Sequence, residues 1–237
     1  MAEKLLDSTQ DTLDHRAKVQ EFAEAFCNAV MDAVKLAPAL AWKAADLFCT
    51  EIKRRAACHD ESKLHPPEKE KFDFVGTHKH LSGQKYGSPE YQKSLEYLGE
   101  ALEHHYEMND HHPQHFKNGT SDMNLMQFVE MWLDWVAACL RNKDGNIMES
   151  IKVNKERFSI PEETCAILRA TAPMTQESRV PGAYDLVHVV ETWAWCMSSF
   201  QAGEYEPWDF AVKMGCEPLM GDHLYNILLN TSRIENV

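Results

Sequence analysis

The chain contains no Cys-x-x-Cys pair, no excess of positive charge and no apolar run approaching the roughly 18 residues of a membrane helix. Its seven cysteines (Cys27, Cys49, Cys58, Cys139, Cys165, Cys196 and Cys216) are odd in number and widely spaced, so they read as reduced and mostly buried rather than as a disulfide framework. A formal charge of −13 excludes a general nucleic-acid or anionic-membrane binder, and a phosphate ligand would need a bound metal or a local basic cluster. The opening segment MAEKLLDSTQDTLDHR is polar and acidic, unlike a secretion signal, which predicts a soluble, cytoplasmic protein. Internal repeats and low-complexity tracts are missing too. No strand-like alternation of useful length occurs, so the expected fold is all-α.

What is present is helical periodicity. From Asp14 to Val34, apolar residues at Val19, Phe22, Ala23, Phe26, Val30 and Val34 form one buried stripe, with His15 in the first turn. A second helix runs from Ala39 to about Cys58, placing His59-Asp60 at its C-terminal end. Pro66-Pro67 ends regular structure, and Gly76, His78, His80, Gly83 and Gly87 mark an irregular connection. Further helices are predicted over Tyr91–Asn109, Asn124–Leu140, Pro161–Thr171, Tyr184–Gln201 and His223–Leu229. Ligand-type residues stop after Lys143, which divides the chain into a chemical core, 1–143, and a helical extension, 144–237. The aromatics of that extension (Trp193, Trp195, Phe200, Tyr205 and Trp208) would cap the core.

Within the core stand His15, the pair His59-Asp60, and five histidines in twelve residues (His104, His105, His111, His112 and His115), followed by Asp134. Imidazole and carboxylate together suit manganese, iron, cobalt, nickel or zinc, whereas magnesium and calcium prefer oxygen shells. One or two divalent transition ions are therefore expected, with at least two histidines of the 104–115 tract as ligands. Asp134 lies one turn after Glu130 between Trp132 and Trp135, where a carboxylate is costly to bury unless paired or bound to a cation. Asp134 is read as a ligand and Glu130 as an orienting group or proton acceptor behind it. Asp11, four residues before His15, either orients that ring or caps its helix. Lys63 either meets a phosphate or a metal-activated water, or is simply solvated after its helix. His78 and His80 are read as solvated or substrate-facing.

The order His15, His59-Asp60, His105, His111-His112, Asp134 resembles the HD-domain superfamily of metal-dependent phosphohydrolases, whose helical bundles carry H…HD…H…H…D, often with a lysine after the HD pair. The resemblance covers about Asp11–Ala138. More closely, His-Asp-x-Ser-Lys, His-x-x-x-Asn-x-His-His (105–112) and Glu-Met-x-x-Asp-Trp (130–135) resemble an uncharacterised bacterial and phage family known only as a domain of unknown function. The superfamily likeness implies an HD-like bundle hydrolysing a small phosphate ester, a nucleotide being the favoured substrate. It also implies one site built from His15, His59, Asp60 and Asp134, and a second built from His105 with His111, His112 or both, sharing Asp60. Lys63 would stabilise the phosphate, while Lys53-Arg54-Arg55 would lie too far back along its helix to help. The lack of Gly-Tyr-Pro after the histidine pair argues against the cyclic-dinucleotide branch. Two alternatives stay open: a di-iron oxygenase on the same ligand order, and a non-catalytic module stabilised by metal.

Overall fold

A computed structural model describes residues 6–78, 88–140, 145–172, 185–201, 222–224, 226–228 and 230–231. The architecture is an all-helical bundle, with no strand among the described residues. Two long helices, α1 (Thr9–Ala33) and α2 (Ala39–Ala57), pack side by side. Helix α6 (Leu125–Cys139) packs against both, and so does α9 (Leu186–Gln201). Helices α7 (Ile147–Phe158) and α8 (Glu162–Thr171) pack on α6 and α9 respectively and on each other. Trp193 of α9 meets Phe48 of α2 at 5.7 Å between ring centroids, so the extension contributes directly to the core.

The buried stripes lead straight to the ligand-type residues. On α1 the stripe is His15, Val19, Phe22, Phe26 and Val30, and on α2 it is Ala45, Phe48, Ile52 and Ala56, which continues into buried His59. Helix α6 starts at a capping box, in which Asn124 accepts from the Gln127 backbone and the Gln127 side chain accepts from the Asn124 backbone. It is buried nearly all round, including Glu130.

Three predicted boundaries change. Residues Glu68–Thr77, expected to be irregular, form helix α3 directly after Pro66-Pro67. Glu68 and Glu70 in its first turn favour the helix N-terminus, a start signal obscured by the glycines and histidines that follow. The single helix expected over Tyr91–Asn109 is two, α4 (Pro89–Leu98) and α5 (Glu100–Met108), broken at Gly99 with φ of 49°. Such a φ is costly for a residue with a Cβ. Helix α7, between residues assigned to no element, was not anticipated. His80, Gly83, Gly87, Tyr205 and Trp208 lie outside the described residues.

His223, in the last described helical segment, fastens that segment to the bundle. Buried against Phe128, its Nε2 is 3.0 Å from the Thr120 hydroxyl and its Nδ1 is 3.0 Å from the Thr164 hydroxyl. Burial holds its pKa below the ordinary histidine value, against the opposing pull of Glu163. A depressed folded-state pKa means that the unfolded chain takes up the proton first. The contribution is then intact above the unfolded value of about 6.5 and is lost as pH falls through it. His223→Leu should cost roughly 1–3 kcal/mol by stranding two hydroxyls. His223→Gln should flatten the loss of stability between pH 7.5 and 5 in urea unfolding. An unchanged pH dependence would contradict the assignment.

Candidate metal centre

The centre forms where α1, the end of α2, α5 and α6 converge. His15 and Asp134 approach through Nε2 and Oδ1 at 2.9 Å, joining α1 to α6. After α2 the chain turns sharply at Asp60, a non-glycine residue in the left-handed region with φ of 56°. Such conformations persist where surrounding contacts enforce them and are frequent at functional sites. Here Arg16, next to His15, donates from Nε to the His59 carbonyl at 2.7 Å and pairs with Glu61, holding the turn against α1.

Asp60, 2 % exposed, is the hub. Its Oδ1 faces His105 Nε2 at 3.4 Å and His111 Nε2 at 3.6 Å, while Oδ2 faces Lys63 Nζ at 2.6 Å and His59 Nε2 at 3.8 Å. His59 Nε2 also lies 3.6 Å from Asp134 Oδ1, and His112 Nε2 is 2.8 Å from His105 Nε2. Ligand atoms each about 2.1 Å from a tetrahedral ion stand about 3.4 Å apart, the spacing seen across most of this cluster. His59 Nε2, Asp60 Oδ1 and His111 Nε2 are buried without a hydrogen-bond partner, which is expensive unless a cation takes their lone pairs. Three combinations can hold an ion on the ligand atoms facing inward: His15, His59 and Asp134; Asp60, His105 and His112; and His111, His112 and Asp134. All seven residues read as ligands from the sequence are thus brought together.

Glu130 lies behind them. Its Oε1 accepts from His59 Nδ1 at 2.9 Å and lies 3.4 Å from His111 Nδ1, so both rings keep Nε2 turned toward Asp60. Its Oε2 accepts from Arg55 Nε at 2.6 Å. Arg55 also pairs with Asp110, which accepts from Gln127. Although His59, His111 and Glu130 are also close enough to hold an ion, that would spend the Nδ1 contacts that orient the rings.

The protonation state suits a cation. Burial opposes ionisation of Asp60 and Asp134, yet Lys63 and His59 beside the first, and His15 and His59 bonded to the second, hold both well below the carboxylate range. Burial and the adjacent His105 push His112 down to about 3, and burial with His112 and His59 holds His111 well below the ordinary histidine value. His59 is the exception. Burial would lower it, but Asp60, Asp134 and Glu130 push it up to about 10, so its proton is the one a cation displaces.

Other residues of the sequence reading fall elsewhere. His115 is exposed and bonds the Tyr106 carbonyl, and His78 stacks on Phe74 at the end of α3, its Nδ1 bonded to the Phe74 carbonyl. Asp11 is exposed in the first turn of α1. Arg55, expected to lie too far back to help with a phosphate, supports the centre from behind through Glu130, one helical turn before His59. Glu68 was missed entirely. Ser62 and Asn109, present in the quoted motifs without a role, bond each other at 2.7 Å, and Asn109 also donates to the His105 carbonyl. No described helix is long and apolar enough to cross a membrane.

The profile of a family described as "Family of unknown function (DUF5662)" matches residues 4–177, which include every residue of the centre. No curated protein and no solved structure matches the chain.

Proposed function

The chain belongs to the family of unknown function DUF5662, and we propose that it is a hydrolase of small phosphate esters, nucleotides foremost, working through one or two divalent transition ions. The observation that carries the proposal is the convergence of buried, unpartnered nitrogen and oxygen atoms on Asp60, with a lysine at the same carboxylate. The ligand order, which resembles that of HD-domain phosphohydrolases, favours phosphoryl chemistry by analogy. His15, His59, Asp60 and Asp134 would hold one ion, and Asp60, His105, His111 and His112 the other. Bound ions of this kind lower the pKa of water and neutralise phosphoryl charge.

The chain's own groups supply the rest. Lys63 Nζ sits over the Phe72 ring at 5.2 Å from its centroid, with its side chain 17 % exposed, so it can swing from Asp60 to an incoming phosphate oxygen. Asp134, whose side chain is 15 % exposed, stands at the accessible edge of the cluster, where a substrate would enter. Arg55 and Glu130 keep the His59 and His111 rings from rotating as charge moves.

The test is metal analysis of protein purified without added metal, followed by phosphate release from a nucleotide panel with manganese, cobalt, nickel or iron. Lys63→Ala should keep its metal and raise KM roughly 10- to 100-fold, the worth of one charged hydrogen bond. Loss of metal in Lys63→Ala would contradict its role. Iron-loaded protein that consumes dioxygen and releases no phosphate would transfer the assignment to the oxygenase reading, and tightly bound metal with neither activity would favour a non-catalytic module.

A further inference from the structure

Glu68 is fully buried, at 0 % exposure, on a helix that buries no other residue. Among the described residues, neither carboxylate oxygen meets a lysine or arginine. Oε2 accepts from His105 Nδ1 at 2.9 Å and Oε1 accepts from His104 Nδ1 at 2.7 Å. A carboxylate placed there for stability alone would be a poor choice, since among the described residues its desolvation is offset by no full cation, but by two imidazoles, one of them 35 % exposed, and the Ser62 hydroxyl. Its arrangement instead repeats that of Glu130. Each glutamate receives an Nδ1–H from behind a ring whose Nε2 points at Asp60: Glu130 serves His59 and Glu68 serves His105. Carboxylates in this position fix the tautomer and orientation of a ligating histidine and raise its basicity.

We propose that Glu68 is the positioning residue of the His105–His112 half of the centre, acting on the ion through His105 without touching it. The inference rests on the metal-centre reading above. Asn109 braces the same segment by donating to the His105 carbonyl and to the Ser62 hydroxyl. Glu68 therefore sets which way His105 Nε2 faces, and its negative charge is felt by whatever that nitrogen binds.

The probe is cobalt(II) alone, titrated into metal-free protein and followed by visible absorption and chelator competition. The equivalent belonging to His105 and His112 is identified as the one that His112→Ala removes. Glu68→Ala should weaken that equivalent by about 10- to 100-fold and alter its absorption band, leaving any other equivalent as in the wild type. Glu68→Gln keeps the shape and one neutral acceptor and should weaken it less, by about tenfold. It decides the matter if Glu68→Ala does not fold, with far-UV circular dichroism of the metal-free variant as the control. Unchanged affinity in folded Glu68→Gln, or an equal loss at both equivalents, overturns the positioning role. Wild-type protein that takes up no cobalt overturns the metal-centre reading and this inference together.

Discussion

Asp60→Asn should empty the centre of metal and abolish any metal-dependent activity while leaving the helices standing. Asparagine is the informative substitution because it tolerates the left-handed backbone that Asp60 adopts, whereas alanine would add a conformational penalty of roughly 1 kcal/mol. What asparagine removes is the charge. Asp60 faces histidines of both groups through separate oxygens, His59 on one and His105 with His111 on the other. Without it, the imidazoles are left with Asp134 alone as an anionic ligand, and the loss of several kcal/mol of charge stabilisation corresponds to at least about 10³-fold in affinity and rate. Elemental analysis and far-UV circular dichroism measure the two halves of the claim. A variant that keeps its metal would remove Asp60 from the hub, and one that loses its helices would show that the turn, rather than the ligand charge, is what the residue supplies.

How much of this could be read from the sequence differs between the two sides of the centre. His15, His59 and Asp134 sit on or next to long apolar stripes, so periodicity alone placed them facing a core. The same logic found the bundle and its helical class. It failed around residues 61–116, where the helices are short and bury little: α3 buries Glu68, and α5 buries Ala101 and His105. Without a stripe α3 offers no period to detect, whereas the apolar spacing of Leu95, Leu98 and Leu102 runs straight across the break at Gly99 and hides it. Glu68 left no signal either. A lone glutamate in an EKEK run reads as solvated surface, and only the tertiary meeting of α3 with α5 puts its carboxylate behind His105. The motif spacings preserved a trace of that meeting, since Ser62 and Asn109, quoted as pattern, are hydrogen-bonded to each other.

That asymmetry in burial predicts what metal removal does. Among the described residues, none between Ala56 and Met123 belongs to the buried apolar cluster that fills the bundle, although Phe116 packs against its rim and Leu98 and Ala101 are buried apart from it. The layer of α3 to α5 is held instead by a ring stack, Phe74 on Tyr97, and by polar contacts: Glu68 to His105, Asn109 to Ser62, Arg55 to Asp110, and Lys69 to Asp7. Three of these contacts converge on residues around the centre. With a cation in place, Asp60, His105 and His112 would be cross-linked through it, and binding energy becomes folding energy for the layer. Stripping the ion leaves buried polar atoms of His59, Asp60 and His111 without hydrogen-bond partners. Chelation should therefore speed amide exchange in α3, α5 and the 109–116 segment while α1, α2 and α6 stay protected, since local opening draws first on regions with few buried apolar contacts. A ligand present at 100 times its Kd contributes about 2.7 kcal/mol. At roughly 2–4 °C per kcal/mol for a chain of this size, Tm should fall by about 5–10 °C. Hydrogen-exchange mass spectrometry with and without chelator reads the pattern directly. Equal loss of protection in α1 and α6 would mean that the layer and the core open together, and no change anywhere would mean that no metal fastens them.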